Sequence, residues 1–439
     1  MGVPDPLIDN IVDTVGDQAG GRRLPRALTP FRIPAYRMLA VSLVFSSLAG
    51  GLWVVGLVWE VFGLGGGTGQ LSLVSTLSAL GVMVPALLAG VVADRIPQRR
   101  ILLVVIGVEA CVMGTVALLA GLGLTTVWWL AVAAFGTGVA MAFYYPAYSA
   151  LLPALVAEDD LMAVNGFEGM VRPTVGQAVG PALAGVVIGI AAPWAAFTVA
   201  AASGVVAWLA ILRVPRTPLR RTLDAAHAGH PVRMALRDMS EGFGYMVRTP
   251  WLLASLLFAS LMILVIMGPL EVLIPYFIKS DLGGDAADHS MVLAAFGVGG
   301  ALGSLGMTSV RMPRRYLTLM TAIWGVGSLP LALVPHVSAV WMVVAAAFVM
   351  GALFSAPMVI WGTLLQRRVP PDLLGRVSSL DFFVSISLMP VSMALAGPVS
   401  QVIGLAMTFY VAALVPLVLS VVTVVVAKLP ADEIAHPLR

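Results

Sequence analysis

The stretch GVVADRIPQRR, residues 90–100, decides the fold because it separates two apolar runs that are each long enough to cross a membrane. The run before it lies within Val61–Ala93, and the run after it extends from Ile101 to Gly121. A transmembrane helix needs about 20 apolar residues. The polar residues between the two runs are enough only for a short loop. The sequence therefore predicts two membrane-spanning helices joined by a tight, basic turn.

Similar apolar runs recur along the whole chain. Its residues are 59% hydrophobic and 11% charged, whereas a soluble domain has about 25% charged residues. We count twelve spans, the first from Met38 to Trp59, with hairpin turns at Ala191–Pro193, Pro335–Ser338 and Gly404. The eighth span is predicted from Met291 to Val310, which leaves no histidine in a span and disfavours a histidine proton relay. The predicted fold is an all-α membrane protein with twelve transmembrane helices.

Basic residues predict the orientation of these spans. If the N-terminus is cytoplasmic, the outer loops hold Lys279 alone and the other basic side chains fall on the inner side. Cytoplasmic loops of membrane proteins are enriched in Lys and Arg. We therefore expect a multi-pass protein of the inner (cytoplasmic) membrane with both termini in the cytoplasm. The first thirty or so residues are polar, so no cleavable signal peptide is expected.

The two halves of the chain resemble each other. Pro146 in the fourth span has a counterpart in Pro357 of the tenth, and Gly180-Pro181 recurs as Gly397-Pro398. Such internal repeats are typical of transporters with two related bundles. The expected division is a cytoplasmic tail (1–35), a six-helix bundle (36–212), a basic linker (213–250) with an amphipathic helix at Met234–Val247, a second six-helix bundle (251–427) and a cytoplasmic tail (428–439).

The opening stretch resembles the G-x-x-x-D-R-x-G-R-R loop signature of the major facilitator superfamily, and it follows the second span as it does there. The resemblance implies two homologous six-helix bundles and an inner gate that latches them together. Pro97 and Gln98 depart from the family pattern and predict a looser latch. The residues that the resemblance assigns to this inner gate are Gly90, Asp94, Arg95, Arg99, Arg100 and Arg376.

The fifth span carries Gly176-x-x-x-Gly180-Pro181-x-x-x-Gly185, which resembles the antiporter motif of the same superfamily. Small residues at this spacing allow close helix packing, and the resemblance implies export. The order of motifs along the chain is similar to the branch that contains enterobactin exporters and multidrug pumps of the Tap type. The fourth span lacks the arginine that many drug/proton antiporters carry there, so a proton relay must use other residues.

Ionisable residues inside spans are rare and costly, and each is a functional candidate. Our proton-coupling candidates are Glu271, Asp381, Glu109 and Glu168. Glu271 in the seventh span is the first choice for a proton or a cationic substrate, and an interfacial carboxylate is the alternative. Asp381 is interpreted as a gate partner of Arg95 or Arg376 rather than a substrate ligand. Glu168 precedes Arg172 by four residues, which predicts an intrahelical ion pair with a mainly structural role.

Aromatic, methionine and glutamine side chains in the central spans predict an adaptable apolar pocket. We find no motif for catalysis, ATP, metal or nucleic acid, so we expect a monomeric non-enzyme without cofactor or metal. The predicted function is a secondary exporter of amphiphilic small molecules, a drug or a siderophore-like metabolite, with protons as the exchanged ion. The alternatives are a nutrient facilitator or importer of the same fold and, less favoured, a membrane receptor. The substrate-cavity candidates are Trp53, Phe143, Tyr145, Tyr148, Gln177, Met267 and Trp361.

Overall fold

The chain folds into long helices that lie side by side. The structure is a computed structural model that describes residues 26–157, 160–216, 231–310 and 312–438. It does not describe the side chains at 26–28, 87, 88, 90, 91, 93–95, 162, 166, 231–239, 371, 372, 375 and 379. In this described part, twelve helices are long and apolar enough to cross a membrane. They are α1 (Pro34–Gly63), α2 (Thr68–Arg95), α3 (Gln98–Gly121), α4 (Val127–Leu155), α5 (Leu161–Val171, Arg172–Val179 and Gly180–Ile190), α6 (Pro193–Leu212), α7 (Pro250–Ser280), α8 (Ala286–Thr308), α9 (Tyr316–His336), α10 (Val340–Arg368), α11 (Pro371–Ile386 and Met389–Ile403) and α12 (Leu405–Val426).

The same packing scheme occurs twice. In the first half α1 packs on α5 and α6, α2 on α4, and α3 on α6; in the second half α7 packs on α11 and α12, α8 on α10, and α9 on α12. Each pair in the second half is therefore its first-half counterpart moved by six helices. Two further pairs, α2 with α11 and α5 with α8, cross between the halves. The predicted fold of two homologous six-helix bundles is confirmed by this arrangement.

Glycines set the closest helix crossings in both halves. A Cβ atom at Gly81 of α2 would lie 2.3 Å from the Phe135 carbonyl oxygen of α4, and one at Gly299 of α8 would lie 2.0 Å from the Phe348 carbonyl oxygen of α10. No Cβ fits at such distances, so only glycine allows the two backbones to touch. This is the small-residue packing that replaces the hydrophobic effect between helices in lipid.

Two faces of the bundle are named by the chain ends. The terminal face carries the beginnings of α1 and α7 and the ends of α6 and α12, and the far face carries the hairpins α1–α2, α5–α6 and α11–α12. The three hairpin turns predicted from sequence join α5 to α6, α9 to α10 and α11 to α12, and all three are confirmed. At the last of them, Gly404 has a φ of +86°, a conformation that favours glycine.

One span boundary was wrong. The eighth span begins at Ala286 rather than Met291, because Asp285 caps the helix by accepting hydrogen bonds from the backbone N–H groups of Ala287 and Asp288. His289 therefore lies inside α8 and is buried. The prediction that no histidine falls in a span is corrected by this cap, which the apolar count could not detect.

The segments outside the spans are more ordered than predicted. The linker forms a helix at Pro231–Arg248, close to the predicted bounds, and packs on α7 and α11. The segment predicted as a C-terminal tail forms a short helix, Leu429–Ala435, against α9 and α12. Its Glu433 is buried and accepts hydrogen bonds from the N–H and Oγ1 of Thr318, at the beginning of α9. Of the predicted N-terminal tail, residues 1–25 lie outside the described residues.

Candidate functional site

The two halves meet through small residues near the far face. A Cβ atom at Gly185 of α5 would lie 2.8 Å from the Cα of Ala287 and 2.7 Å from the Oγ of Ser290, both in α8. A Cβ at Gly397 of α11 would lie 2.9 Å from the carbonyl oxygen of Thr68 in α2. These two contacts, called the far seams, bring the halves into backbone contact.

Polar contacts reinforce the closure on this side. The backbone N–H of Gly397 donates to the Oγ of Ser72 across the α2–α11 seam, at 2.9 Å. Between α1 and α7, the Nζ of Lys279 donates to the carbonyl oxygen of Phe62 at 3.2 Å and lies 4.5 Å from the centre of its ring. The far face is therefore closed by contacts from three helix pairs.

The terminal half of the interior is more open. In α4, the large side chains exposed in the far half are Trp128, Trp129, Val132 and Phe135. Their mean direction lies about 150° around the helix from that of Met141 and Tyr145, the large side chains exposed in the terminal half. Tyr145 is 55% exposed even though its position does not continue the lipid-facing stripe. We infer that Met141 and Tyr145 face a central cavity that opens toward the terminal face.

An ion pair in α5 lies beside this opening. The Nε of Arg172 donates to Oε1 of Glu168 at 2.8 Å, as the predicted four-residue spacing requires. Glu168 is buried, and the Arg172 guanidinium lies 5.0 Å from the ring centre of Tyr145 and 6.0 Å from those of Tyr144 and Tyr148. The intrahelical pair is confirmed, and it is enclosed by three tyrosine rings of α4.

The second acid has neutral partners. Oδ2 of Asp381 in α11 accepts a hydrogen bond from the indole Nε1 of Trp361 at 2.9 Å, and Oδ1 accepts one from the Oγ of Ser385 at 3.4 Å. Arg376, its predicted partner, pairs instead with Glu241 of the linker helix at 2.6 Å. In this conformation Arg376 therefore joins the linker helix to α11. The side chain of Arg95, the alternative partner, lies outside the described residues, so the gate role of Asp381 stays a prediction.

Glu271 lies in the far third of α7, within a π-helical turn at Pro269–Leu273 that packs against α2, α11 and α12. Its side chain is exposed, and no hydrogen bond or ion pair joins it to another described residue. Pro269 begins the π-helical turn; proline has no N–H to continue the normal helical ladder, and π-helical turns are common at functional sites. Glu271 is therefore an unpaired carboxylate at the junction of the two halves, and its predicted role stays a prediction.

Glu109 and His289 are the other ionisable candidates inside spans. Glu109 in α3 is half-buried and has no hydrogen-bond or ion-pair partner in the described part of the chain. The Nδ1 of His289 is buried without a hydrogen-bond partner. Glu109 is close enough to Tyr144, one of the rings around the ion pair, for an electrostatic interaction.

The antiporter motif forms a packing surface. A Cβ atom at Gly51 of α1 would lie 2.6 Å from the carbonyl oxygen of Gly176, 2.7 Å from the Cδ of Pro181 and 2.8 Å from the Cα of Gly180. Gly185, one turn further, faces α8 instead. The motif therefore joins α5 to its own half on one side and to the opposite half on the other.

Of the predicted inner gate, the side chains of Gly90, Asp94 and Arg95 lie outside the described residues. Arg99 donates from Nε to the carbonyl oxygen of Val214 at 2.6 Å and from Nη2 to that of Leu212 at 2.8 Å. These contacts cap the end of α6 in the same half. Arg100 is exposed. Latching of the two halves by this loop stays a prediction.

The predicted cavity residues divide into two groups. Tyr145 and Gln177 are exposed, and Gln177 also packs against Gly297 of α8. Trp53 is buried 5.2 Å from the Phe197 ring of α6, so its prediction as a cavity residue is wrong. Three others are also buried or half-buried in the packed bundles. In sequence, an apolar side chain that lines a cavity looks the same as one in the packed core. The three are Tyr148 and Phe143 in the first half and Met267 in the second. Trp361 is buried but holds Asp381.

The sequence interpretation missed the tyrosines as partners of the ion pair. Tyr36 of α1 and Tyr144 and Tyr148 of α4 are buried, and their hydroxyl groups have no hydrogen-bond partner. All three are close enough to Glu168 for an electrostatic interaction. A signal was present in Tyr144-Tyr145 and Tyr148 of the fourth span, because phenol groups are unusual in a lipid-facing stripe.

The geometry is that of two packed six-helix bundles in contact at the far seams, and comparison with known proteins identifies the family. Residues 26–437 match the family described as "Transmembrane secretion effector", part of the major facilitator superfamily. The chain belongs to this family. Members of this superfamily are transporters rather than enzymes, so this secretion effector family protein is a multi-pass membrane transporter.

Relatives of the secretion effector family protein include drug pumps. The multidrug efflux pump Tap of Mycobacterium tuberculosis is 28% identical over 401 residues, which cover 87% of this chain and 91% of the pump. Macrolide efflux protein A of Streptococcus pyogenes is 26% identical over 349 residues, covering 77% of this chain and 83% of that protein. The protein is therefore distantly related to bacterial efflux pumps.

Solved structures support the fold. A mutant of the nucleoside transporter NupG superimposes with a TM-score of 0.67 and 13% identity, covering 91% of this chain and 99% of that chain. A bacterial homolog of the human lysosomal transporter Spinster, in an inward-facing and unoccupied conformation, gives a TM-score of 0.63 and 15% identity, with 94% and 99% covered. At these identities the likeness shows the major facilitator fold alone.

Proposed function

We propose that this protein is a secondary exporter that moves amphiphilic small molecules, drugs or a siderophore-like metabolite, out of the cell in exchange for protons. The family description as a secretion effector and the relatives named as efflux pumps support export. The small-residue motif in α5 also supports export, because it resembles the antiporter motif of the superfamily. Its glycines pack on both α1 and α8.

The charge distribution supports a cytoplasmic terminal face. Basic residues concentrate at the helix ends of that face, whereas the far face carries Lys279. With this orientation the described conformation is closed toward the outside, and its cavity opens toward the cytoplasm. An exporter in this state is ready to take up its substrate.

Transport requires the halves 36–212 and 251–427 to rock about the cavity. The far seams place Gly185 and Gly397 against atoms of the opposite half, and their separation would break the hydrogen bond from Gly397 to Ser72. Rigid-body movement of two related bundles about a central site is the general alternating-access mechanism. Opening the far seams, with closure at the terminal face, would expose the cavity to the outside.

Proton coupling is supported by two acids in membrane spans, Asp381 and Glu271, that have no cationic partner among the described residues. Asp381 has neutral hydrogen-bond donors, and Glu271 has none. An isolated carboxylate in this environment is costly, and either a proton or a cationic substrate removes that cost. Because one carboxylate cannot hold both, the two ligands compete, and competition between them produces antiport.

The test is efflux driven by an imposed proton gradient. Everted membrane vesicles containing the wild-type protein are expected to accumulate ethidium when their lumen is acidic and to stop when the gradient is collapsed. Glu271→Gln is expected to lower the gradient-dependent uptake at least about tenfold, as loss of a coupling group does. Asp281→Asn, an exposed carboxylate just beyond the end of α7, is the matched control and should behave as wild type.

Two results would contradict the proposal. Equal uptake by wild type and Glu271→Gln, independent of the gradient, would remove proton coupling at this residue. Uptake only in right-side-out vesicles would show an importer or facilitator of the same fold. The direction of transport is thus measured separately from its coupling.

A further inference from the structure

The ion pair in α5 and the tyrosines around it form an arrangement that packing alone does not explain. The Nε of Arg172 donates a hydrogen bond to Oε1 of Glu168 at 2.8 Å, and Nη2 lies 2.8 Å from the same oxygen as an ion-pair contact, so the guanidinium contacts a single oxygen of the carboxylate. The side chain of Arg172 is 27% exposed and that of Glu168 is 11% exposed. The pair therefore has one buried member and one member at the edge of the opening.

The surroundings of the pair supply unused polar groups. The hydroxyls of Tyr36, Tyr144 and Tyr148 are buried without a hydrogen-bond partner, an arrangement that normally destabilises a protein. A tyrosine hydroxyl both donates and accepts a hydrogen bond. The hydroxyl can donate a hydrogen bond to a carboxylate, and it can accept one from a protonated carboxyl group. The cluster is suited to hold Glu168 in either protonation state.

We propose that Glu168 and Arg172 are a second element, in addition to Glu271 and Asp381, through which a proton and a cationic substrate exclude each other; this rests on the proposed export by proton antiport. A proton that binds the Glu168 carboxylate forms its O–H bond and removes its negative charge, while Arg172 keeps its positive charge. The local charge changes from zero to one positive. That charge lies against the exposed ring of Tyr145 and repels a cation in the cavity.

The substrate class follows from this change of charge. When the pair is neutral, the ring of Tyr145 offers a face for an amphiphilic cation, and Asp381 supplies a negative charge in the other half. When Glu168 is protonated, the free guanidinium occupies the same face of the ring. The preferred substrates are therefore lipophilic cations, and neutral amphiphiles should bind without regard to the state of Glu168.

Few other titratable groups act on the pair. In α8, which also packs on this part of α5, the charged or titratable side chains are Asp288 and His289, near the far end. The titratable or charged groups around the pair from the remaining elements are Tyr36 and Arg37 of α1, Arg32 of the preceding turn, Tyr144, Tyr145 and Tyr148 of α4, and Glu109 of α3 beside Tyr144.

The test is equilibrium binding of two dyes to the purified full chain in detergent at pH 8. Ethidium is a permanent cation, and Nile red is an uncharged dye. Glu168→Gln reproduces the protonated state and is expected to weaken ethidium binding about 30-fold, the effect of two like charges about 8 Å apart at an effective dielectric constant of about 20. Its affinity for Nile red should stay within about twofold of wild type, since no charge is involved.

The double variant Glu168→Gln/Arg172→Gln separates charge from structure. It removes the positive charge as well, so its ethidium affinity should return to within about threefold of wild type. Asp281→Asn, which changes an exposed carboxylate beyond the end of α7, is the control and should leave both affinities unchanged. If Glu168→Gln proves unstable, the double variant still decides, because its ethidium binding should lose the pH dependence that Glu168 contributes.

The inference is overturned by any of three results. The first is unchanged ethidium binding by Glu168→Gln, and the second is a loss of Nile red affinity in that variant as large as its loss of ethidium affinity. The third is a double variant that binds ethidium as weakly as the single variant or with the full pH dependence of wild type. The proposed function fails separately, if wild-type vesicles show no gradient-driven uptake. Gradient-driven uptake together with any of the three results would retain the exporter and exclude this coupling pair.

Discussion

Helices α5 and α11 occupy equivalent places in the two halves but treat their acids differently. In α5, Glu168 pairs with Arg172 on the same helix. In α11, Asp381 is held by Trp361 and Ser385, both neutral. The two acids lie within about three turns of the start of their helices. Both halves therefore place an acid near the start of this helix but give it different partners.

This difference separates two ways of placing a charge in a membrane. A carboxylate paired with arginine is neutral as a unit, so its loss should affect folding as much as transport. A carboxylate with neutral donors keeps its charge available for a proton or a cation, so its loss should affect transport alone. The outer portions of α5 and α11 are alike, since each crosses to the opposite half through a glycine.

The largest effect is expected at the two glycines through which α5 and α11 contact the opposite half. Gly185→Leu and Gly397→Leu each place a side chain where backbone atoms of the other half lie within 3 Å. Neither far seam should close, and transport should fall by about 100-fold or more, since large residues prevent close helix packing. Efflux from cells that express equal amounts of protein measures this.

A control and a second readout accompany this prediction. Gly189→Leu lies on the same helix with nothing within 4 Å of its added Cβ and should transport as wild type. In a Cys111→Ser background, Ser72→Cys should react with an impermeant maleimide when Gly185→Leu is present and stay protected without it. Equal protection in both proteins would show that the seams still close and that the prediction is wrong.

The second effect concerns stability and contrasts the two acids directly. Arg172→Met leaves Glu168 without its cation and should cost about 3 kcal/mol, as for other buried pairs that lose one partner. Asp381→Asn keeps both hydrogen bonds possible and should leave thermal stability unchanged while efflux falls. Thermal unfolding of the two purified variants measures the contrast, and an equal loss in both would show that partner type does not matter.

The smallest effect is expected from the indole that holds Asp381. Trp361→Phe removes the Nε1–H donor, a change worth about 1 kcal/mol or roughly fivefold in transport. The control is Trp324→Phe, whose indole donates to the Phe354 carbonyl oxygen at 3.0 Å and is expected to matter for stability only. A lower transport rate per folded molecule in Trp324→Phe but not in Trp361→Phe would reverse this assignment.

Sequence patterns predicted the fold well because membrane spans depend on simple quantities. Apolar length gave the twelve helices, and turn residues such as Gly404 gave the hairpins. The intrahelical pair of Glu168 and Arg172 followed from spacing on one helix. Each of these depends on residues that are close along the chain, so no knowledge of tertiary contacts was needed.

Contacts between distant segments were the part that sequence could not provide. Arg376 was expected near Asp381 on the same helix, but Glu241 in the linker is a closer partner. Trp53 and Tyr145 are both aromatic residues in spans, yet one faces Phe197 and the other the opening. Apolar composition is the same toward lipid, core and cavity, so only packing distinguishes these places.

The short helix Leu429–Ala435 has a practical consequence for anyone who truncates this protein. Its Asp432 accepts hydrogen bonds from Arg368, whose guanidinium also lies 4.5 Å from the ring centre of Trp251. Trp251 in turn contacts Trp361, the donor to Asp381. A truncation before Leu429 would therefore remove the first member of a chain of contacts that ends at a membrane-embedded acid.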